Sequence, residues 1–203
     1  MVRVDFKKEL KHLYYPSMRQ VAIVDVPEMN FLMVDGAGDP NTAQEYKDAV
    51  EALYSLSYAL KFMTRREKAT DYVVMPLEGL WWTGDMSKFS VEDKDAWKWI
   101  AMIMQPEYVT KGLVDKALEH VRNKNLPALS KTRFESLHEG LSAQIMHIGP
   151  YSEEDPTIQR LHRHIKENGY KLRGKHHEIY LSDPRKSAPE RMKTVIRQPI
   201  TRA

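Results

Sequence analysis

The sequence predicts an α+β fold: duplicated strand-helix-strand-strand units forming a pseudo-two-fold antiparallel sheet, with helices on one side and a ligand cleft on the other. Two observations carry this expectation. First, the two halves run through the same order of elements, and short motifs recur at matching places. Met33-Val34-Asp35-Gly36 parallels Met146-His147-Ile148-Gly149, and Asp39-Pro40-Asn41-Thr42 parallels Asp155-Pro156-Thr157. Met102-Ile103-Met104-Gln105-Pro106 likewise parallels Val195-Ile196-Arg197-Gln198-Pro199. Self-similarity of this kind marks a repeated supersecondary unit. Second, each half switches from strand-like runs to helical spacing and back. A single domain is expected over residues 1–203, with a first unit at about 21–106, a bridging helix at about 111–124 and a second unit at about 131–200.

The elements follow in order. Residues 1–20 form an arm, with two helical turns from Phe6 to Leu13 before Tyr14-Tyr15-Pro16. Val21 to Pro27 and Asn30 to Asp35 read as two strands, the second stopped by Gly36-Ala37-Gly38-Asp39-Pro40. Asn41 or Thr42 can cap a helix of about 42–62, whose Tyr46, Ala49, Val50, Leu53, Ser57 and Leu60 fall at helical spacing. Asp71 to Trp82 is strand-like, with a bulge or edge suggested by Pro76 and Gly79. Ser87 to Asp95 is a polar connector, and Trp97 to Gln105 another strand. Thr110 caps the bridging helix, which ends on Arg122 and Lys124 as the macrodipole favours. In the second half, Thr132–Leu137 and Gly140–Ile148 are strands, a helix opens at Asp155-Pro156-Thr157 and closes at Asn168-Gly169, and strands follow at His176–Leu181 and Lys193–Gln198.

Composition narrows the function classes. The 203 residues are 42% apolar and 29% charged with net charge +3, so a sizeable core is expected and no basic face for nucleic acid. No helix-turn-helix pattern is present, and direct nucleic-acid binding is not expected. Cysteine is absent, which removes disulfides and thiolate metal sites and fits a reducing, cytoplasmic location. No apolar run reaches the roughly 18 residues of a membrane span, and the N-terminus has no signal-peptide core.

Candidate chemistry centres on His176-His177-Glu178-Ile179-Tyr180-Leu181. Period two places Glu178 and Tyr180 on one face and Ile179 and Leu181 on the other. Ile179 and Leu181 suit a core; a carboxylate beside a tyrosine needs water, a partner or a ligand. Glu78 sits in an apolar neighbourhood beside Trp81-Trp82, with its register against Glu178 open. Glu154 and Tyr151 lie on the loop that enters the second helix, where a carboxylate is also favoured by the helix dipole alone. Trp82, Trp99 and Tyr180 are expected to line the cleft, with Met102 and Met104 as deformable walls, whereas Trp81 and Trp97 are expected to fill core. The histidines lack zinc-helix spacing, so no metal or other cofactor is expected.

These residues carry a resemblance. His147-Ile148-Gly149-Pro150-Tyr151 before the second helix and His177-Glu178-Ile179-Tyr180-Leu181 after it resemble the GyrI-like small-molecule-binding domain, over about Val21 to Ile200. The resemblance implies that Glu178 lies in a pocket for bulky aromatic or cationic ligands. Pro76-Leu77-Glu78-Gly79-Leu80-Trp81-Trp82 and Trp97-Lys98-Trp99 are similar to a stand-alone branch that includes cyclopropanoid cyclopropyl hydrolases. Those enzymes open the cyclopropane of yatakemycin-type DNA alkylators with water inside an aromatic cage. The implied function is binding of aromatic xenobiotics with hydrolytic ring opening, using Glu178, Glu154 and Tyr151, and Glu78, Trp82, Trp99, Tyr180 and Met102 as ligand contacts. Two alternatives stay open at this stage: a binder or sensor without catalysis, and a protein that acts on a partner as a gyrase inhibitor does. Which carboxylate is the base, and the oligomeric state, also stay open.

Overall fold

The computed structural model describes residues 3–84, 94 and 96–203. The expected connector from Ser87 to Asp95 lies, Lys94 apart, outside the described residues. The N-terminal arm holds β1 (Arg3–Val4), α1 (Phe6–Glu9) and α2 (Lys11–Tyr14). The Asp5 side chain caps α1 by accepting from the Lys7 N–H at 3.2 Å. β2 (Ala22–Ala37) is one strand where the sequence reads as two. The ladder to the partner strand runs from Val26–Gly140 to Glu28–His138, so Pro27 sits where no donor is required.

Helix α3 (Gln44–Lys68) follows, longer than its pattern suggested and stopped by Ala69 in a left-handed conformation. β3 (Asp71–Tyr72) pairs in parallel with β1, and β4 (Leu77–Trp82) begins after Pro76, so the run read as one strand is broken in two. β5 (Lys98–Gln105) leads to α4 (Lys111–Val121), whose Thr110 hydroxyl accepts from the Leu113 N–H at 3.3 Å. The second half is β6 (Arg133–Ile148), α5 (Asp155–Glu167), β7 (Tyr170–Leu172), β8 (His176–Tyr180) and β9 (Lys193–Arg202). β6, like β2, fuses two expected strands. β7 was not expected; three residues bounded by Gly169 and Gly174 carry too little pattern to read.

The sheet differs from an open one in closing on itself. Its order is β6-β2-β5-β4-β8-β9, and β9 pairs again with β6. One face therefore becomes an interior, filled by residues such as Phe31, Met33, Met102, Ile179 and Val195, all nearly inaccessible. Helix α2 plugs this interior with Leu13 and Tyr14, both fully buried. The outer face carries the long helices. Ile158, Leu161 and Ile165 of α5 pack on Ala143, Ile145, Ile196 and Ile200, and Tyr46 of α3 packs on the indoles of Trp81 and Trp99 at 5.7 and 5.0 Å between ring centroids.

The register between β4 and β8 decides what faces where. Gly79 stands opposite Glu178 and Glu78 opposite Ile179. Since side chains alternate, His176, Glu178, Tyr180 and Trp81 point outward to the helices, while His177, Glu78 and Leu80 point inward.

Candidate functional site

The outer cluster forms where β8, β4 and β5 meet the start of α5. Glu178 accepts from His176 Nε2 at Oε1, 2.9 Å, and from the Tyr180 hydroxyl at Oε2, 2.7 Å. Tyr180 in turn accepts from Trp81 Nε1 at 3.0 Å. Strand alternation brings His176, Glu178 and Tyr180 into one row, so the carboxylate is held from both sides by its own strand. Burial disfavours its charge, but the His176 and Tyr180 hydrogen bonds outweigh it and hold Glu178 below the usual carboxylate range.

Glu154 enters the same site from the residue preceding α5, next to Thr194 and Glu178. It is 4% exposed, and its Oε1 has no hydrogen-bond partner among the described residues. Burial first, and then the Glu178 carboxylate, push its pKa up to about 9. The site therefore joins one ionised and one protonated carboxyl at neutral pH. Tyr151, on the turn before Glu154, packs edge-on against Tyr180 at 5.5 Å. Burial and then Glu154 and Glu178 raise its pKa to about 12, so it stays a hydrogen-bond donor.

Indoles wall the cluster. Trp81 and Trp99 are opposite one another across the β4–β5 ladder, and Trp97 lies 5.3 Å from Trp81. Two glycines make room for them. A Cβ on Gly36 would come within 2.1 Å of the Trp99 ring, and one on Gly79 within 2.6 Å of Trp81 Nε1. Lys94 lies 5.5 Å from the centre of the Trp97 ring, within cation–π reach.

Behind this wall, inside the closed sheet, lies a second buried polar network. His177 Nε2 is 3.0 Å from Glu78 Oε2, and its Nδ1 is 2.9 Å from Glu139 Oε1. Arg197 donates to Glu139 at 3.1 Å, to Gln144 at 2.9 Å and to the Leu13 carbonyl at 2.8 Å. The Tyr14 hydroxyl donates to Glu78 at 2.9 Å. With a carboxylate at each nitrogen, His177 is an imidazolium: burial opposes the charge, but Glu139 and Glu78 outweigh it and raise its pKa to about 9. Burial likewise opposes the charge of Glu139, whose pKa His177 and Arg197 bring down to about 2. This network ties α2, β4, β6, β8 and β9 together.

Of the residues singled out in the sequence, Glu178, Glu154, Tyr151, Tyr180 and Trp99 meet in the outer cluster. Glu78 and Met102 do not: they are paired across β4 and β5 on the inward face, both fully buried. Trp82 also lies off the cluster, its ring 4.0 Å from Lys175 Nζ. Trp81 is buried in the core as expected, and Trp99 with it; the ladder pairs these two directly on the outward face, while Trp82 follows Glu78 to the other side. Trp97 is buried in the same core, 5.3 Å from Trp81. Sequence reasoning missed His176 and Tyr46. His176 had a readable signal, since it stands two residues before Glu178 and so on its face; Tyr46 had none beyond helical spacing.

Surface depressions lie elsewhere. One is lined by Glu45, Asp48, Pro127, Ala128 and Lys131, the other by Arg19, Gln20, Val21, Arg160, Arg163, His164 and Glu167. Neither is lined by a phenylalanine, tyrosine or tryptophan ring. The first is edged by an exposed ion pair, Lys131–Glu45 at 2.7 Å, of small energetic worth. Among the described residues no group of three or more acidic or histidine side chains is placed to hold a metal ion, and no helix is long and apolar enough to cross a membrane.

Comparison with known proteins adds three findings. The profile of the GyrI-like small molecule binding domain matches residues 19–201. Among solved structures, an uncharacterized conserved protein from Listeria innocua is 43% identical, with 98% of this chain and 100% of that chain covered and a TM-score of 0.90. Two hydrolases from Listeria innocua are 41% and 40% identical over the same shares of each chain, with TM-scores of 0.88 and 0.85. Among curated proteins none matches. The C-terminal domain of EcmrR, 13% identical with a TM-score of 0.57 and covering 91% of this chain and 98% of that one, shares the fold.

Proposed function

The chain belongs to the GyrI-like small-molecule-binding domain family, and from that premise we propose that it binds flat aromatic compounds against the Trp81, Trp97 and Trp99 wall and opens a cyclopropane fused to a dienone by adding water. One observation carries this reading: two buried carboxyls share an aromatic site, one held by the His176 and Tyr180 donors and the other with an oxygen that no described residue reaches. Pairs whose environments drive their proton affinities apart serve as base and acid. The hydrolase description of two relatives at 40% identity or above is consistent with it.

Glu178 is the base. Its two hydrogen bonds leave further lone pairs, through which it takes a proton from a water as the water oxygen bonds to the ring carbon. The cyclopropane C–C bond breaks, and its electron pair moves through the ring system to the dienone oxygen. Glu154, whose Oε1 has no partner among the described residues, gives that oxygen its proton. Tyr151 is the second donor that can steady the developing negative charge. The product is the substrate plus one water, and transfer of the proton from Glu178 back to Glu154 restores the pair. Indole faces position the planar substrate and exclude bulk water.

A second reading draws on Lys94 above Trp97. The protein's own cation stands where a ligand cation could, with the ionised Glu178 as counter-charge, so the same site suits a bulky cationic drug held without turnover. Incubation with a yatakemycin-type cyclopropane in ¹⁸O-water separates the two. Catalysis gives a ring-opened product carrying one heavy oxygen; unchanged substrate at stoichiometric protein, with tight binding, leaves the second reading.

A further inference from the structure

We propose that His176 is the positioning residue of this site: its hydrogen bond to Glu178 makes Glu178 the base and leaves Glu154 to be the proton donor. The inference rests on the hydrolytic reading above and assigns a residue that the reading does not need in order to bind ligand.

The geometry is asymmetric. Glu178 receives His176 Nε2 at 2.9 Å and the Tyr180 hydroxyl at 2.7 Å, while Glu154, beside Thr194, has a buried Oε1 with no donor among the described residues. His176 is 2% exposed and belongs to the same strand row as Glu178, so its ring is fixed against the carboxylate. Two carboxyls in one apolar site compete for a proton, and the one with the better donors stays ionised. Tyr180 cannot make the choice alone, because its hydroxyl is a neutral donor that a protonated Glu178 could equally face. A charged or strongly polar donor at Oε1 can.

The surroundings of the pair support this. Its face meets Glu154 and His162 from α5, Tyr46 from α3, Lys94 from the segment before β5, and Tyr151 from the turn before Glu154. Of these, Lys94 favours ionisation of both carboxyls and so does not distinguish them. The remaining tyrosines are held neutral by burial. His162 stands near His176, and burial and then that neighbour disfavour its charge. Among the described residues, His176 and Tyr180 are the side chains that donate to Glu178, and His176 is the one at Oε1.

The test is a carboxyl titration that needs no substrate. Protein labelled with ¹³C at the glutamate side-chain carboxyl is titrated by NMR, with Glu154→Gln and Glu178→Gln assigning the two signals. In His176→Phe the Glu178 midpoint should rise by about one pH unit or more, a tenfold change in its ionised fraction at a given pH, and the Glu154 midpoint should fall toward it. His176→Gln returns a donor to Oε1 and should recover most of the separation. If the Phe variant does not fold, His176→Asn, polar but too short to reach Oε1, takes its place. A purely structural role would lower Tm and leave both midpoints where they were, and that result overturns the inference. Should wild type turn over no cyclopropane while the midpoints still converge in the variant, the hydrolytic reading fails and the role of His176 in setting the ionised member stands. Turnover with unmoved midpoints sinks the inference alone.

Discussion

Glu78 and Glu178 lie on neighbouring strands and face opposite ways. Gly79 is the residue opposite Glu178, so Glu78 points into the closed sheet toward His177 and Tyr14 while Glu178 points out toward Glu154. The same substitution should therefore do different things at the two positions. Glu178→Gln removes the base, and turnover should fall about 10²–10⁴-fold with Tm nearly unchanged. Glu78→Gln removes the counter-charge of a buried imidazolium and should destabilise by about 1–3 kcal/mol. Ligand affinity should stay within a few-fold. Calorimetric Tm and steady-state kinetics on both variants check the pair.

Activity should depend on pH through the acid rather than the base near neutrality. Glu154 donates only while protonated, and its pKa is raised to about 9. Turnover should therefore hold level through neutral pH and fall about tenfold per unit above pH 9. Glu178 stays ionised to below the usual carboxylate range, so the acid limb belongs at low pH. A kcat/KM profile from pH 4 to 10.5 with Glu154→Gln as control measures both limbs. A rise in rate above pH 9 would assign the base role to Glu154 instead.

Glu154 also costs the fold stability. Its pKa in the folded protein is about 9 against about 4.5 when unfolded. The folded state thus holds a proton that the unfolded chain has lost, and stability falls as pH rises from about 4.5 to 9. Glu154→Gln should remove that loss. At pH 8 it should stabilise by about 1 kcal/mol or more, a rise of about 2–4 °C in Tm, while lowering turnover about 10²–10⁴-fold. No gain in Tm at pH 8 would show that Glu154 is not held neutral in the folded protein.

The inner network has the same direction of pH dependence in a different window. His177 has its pKa raised to about 9 by Glu139 and Glu78. Its contribution is complete below about 6.5, the ordinary histidine value, and is lost as pH climbs through 9. Glu139, at about 2, contributes above about 4.5 and loses that contribution only on acidification toward pH 2. In a Glu154→Gln background the remaining slope of unfolding free energy between pH 6.5 and 9 should belong to His177. Urea unfolding at half-unit intervals resolves it, and a flat line over that window would rule out an imidazolium between the two carboxylates.

Local periodicity made much of this legible. The row of His176, Glu178 and Tyr180 follows from strand alternation, and the repeat of Met33-Val34-Asp35-Gly36 in Met146-His147-Ile148-Gly149 foretold two strands entering two helices. What alternation cannot supply is the register between strands far apart in sequence. β4 and β8 are about a hundred residues apart, and a shift of one residue in their pairing exchanges Glu78 for Gly79 beside Glu178. The faces of Trp81 and Trp82 hung on the same unknown. Closure of the sheet through β6 and β9 was equally unreadable, since it depends on β2 and β6 each running on as a single 16-residue strand past Pro27 and Gly140.

The tryptophan faces give the sharpest test of where ligand sits. Trp81 donates from Nε1 to Tyr180 and lies 5.3 Å from Trp97, so both rings border the carboxyl pair. Trp82, one residue on, stands on the other face with Lys175. Trp97→Ala removes a wall without touching the Trp81–Tyr180 hydrogen bond and should weaken binding of a flat aromatic by about 0.5–1.5 kcal/mol, about 2- to 12-fold in Kd. Trp82→Ala should leave Kd unchanged. Gly36→Ala, which drives a methyl into the Trp99 ring, should weaken binding as well by displacing that indole from Tyr46. Quenching of tryptophan fluorescence by a planar aromatic probe reads all three. A Trp82 variant that loses affinity while the Trp97 variant retains it would move the ligand to the opposite face of β4 and away from Glu178.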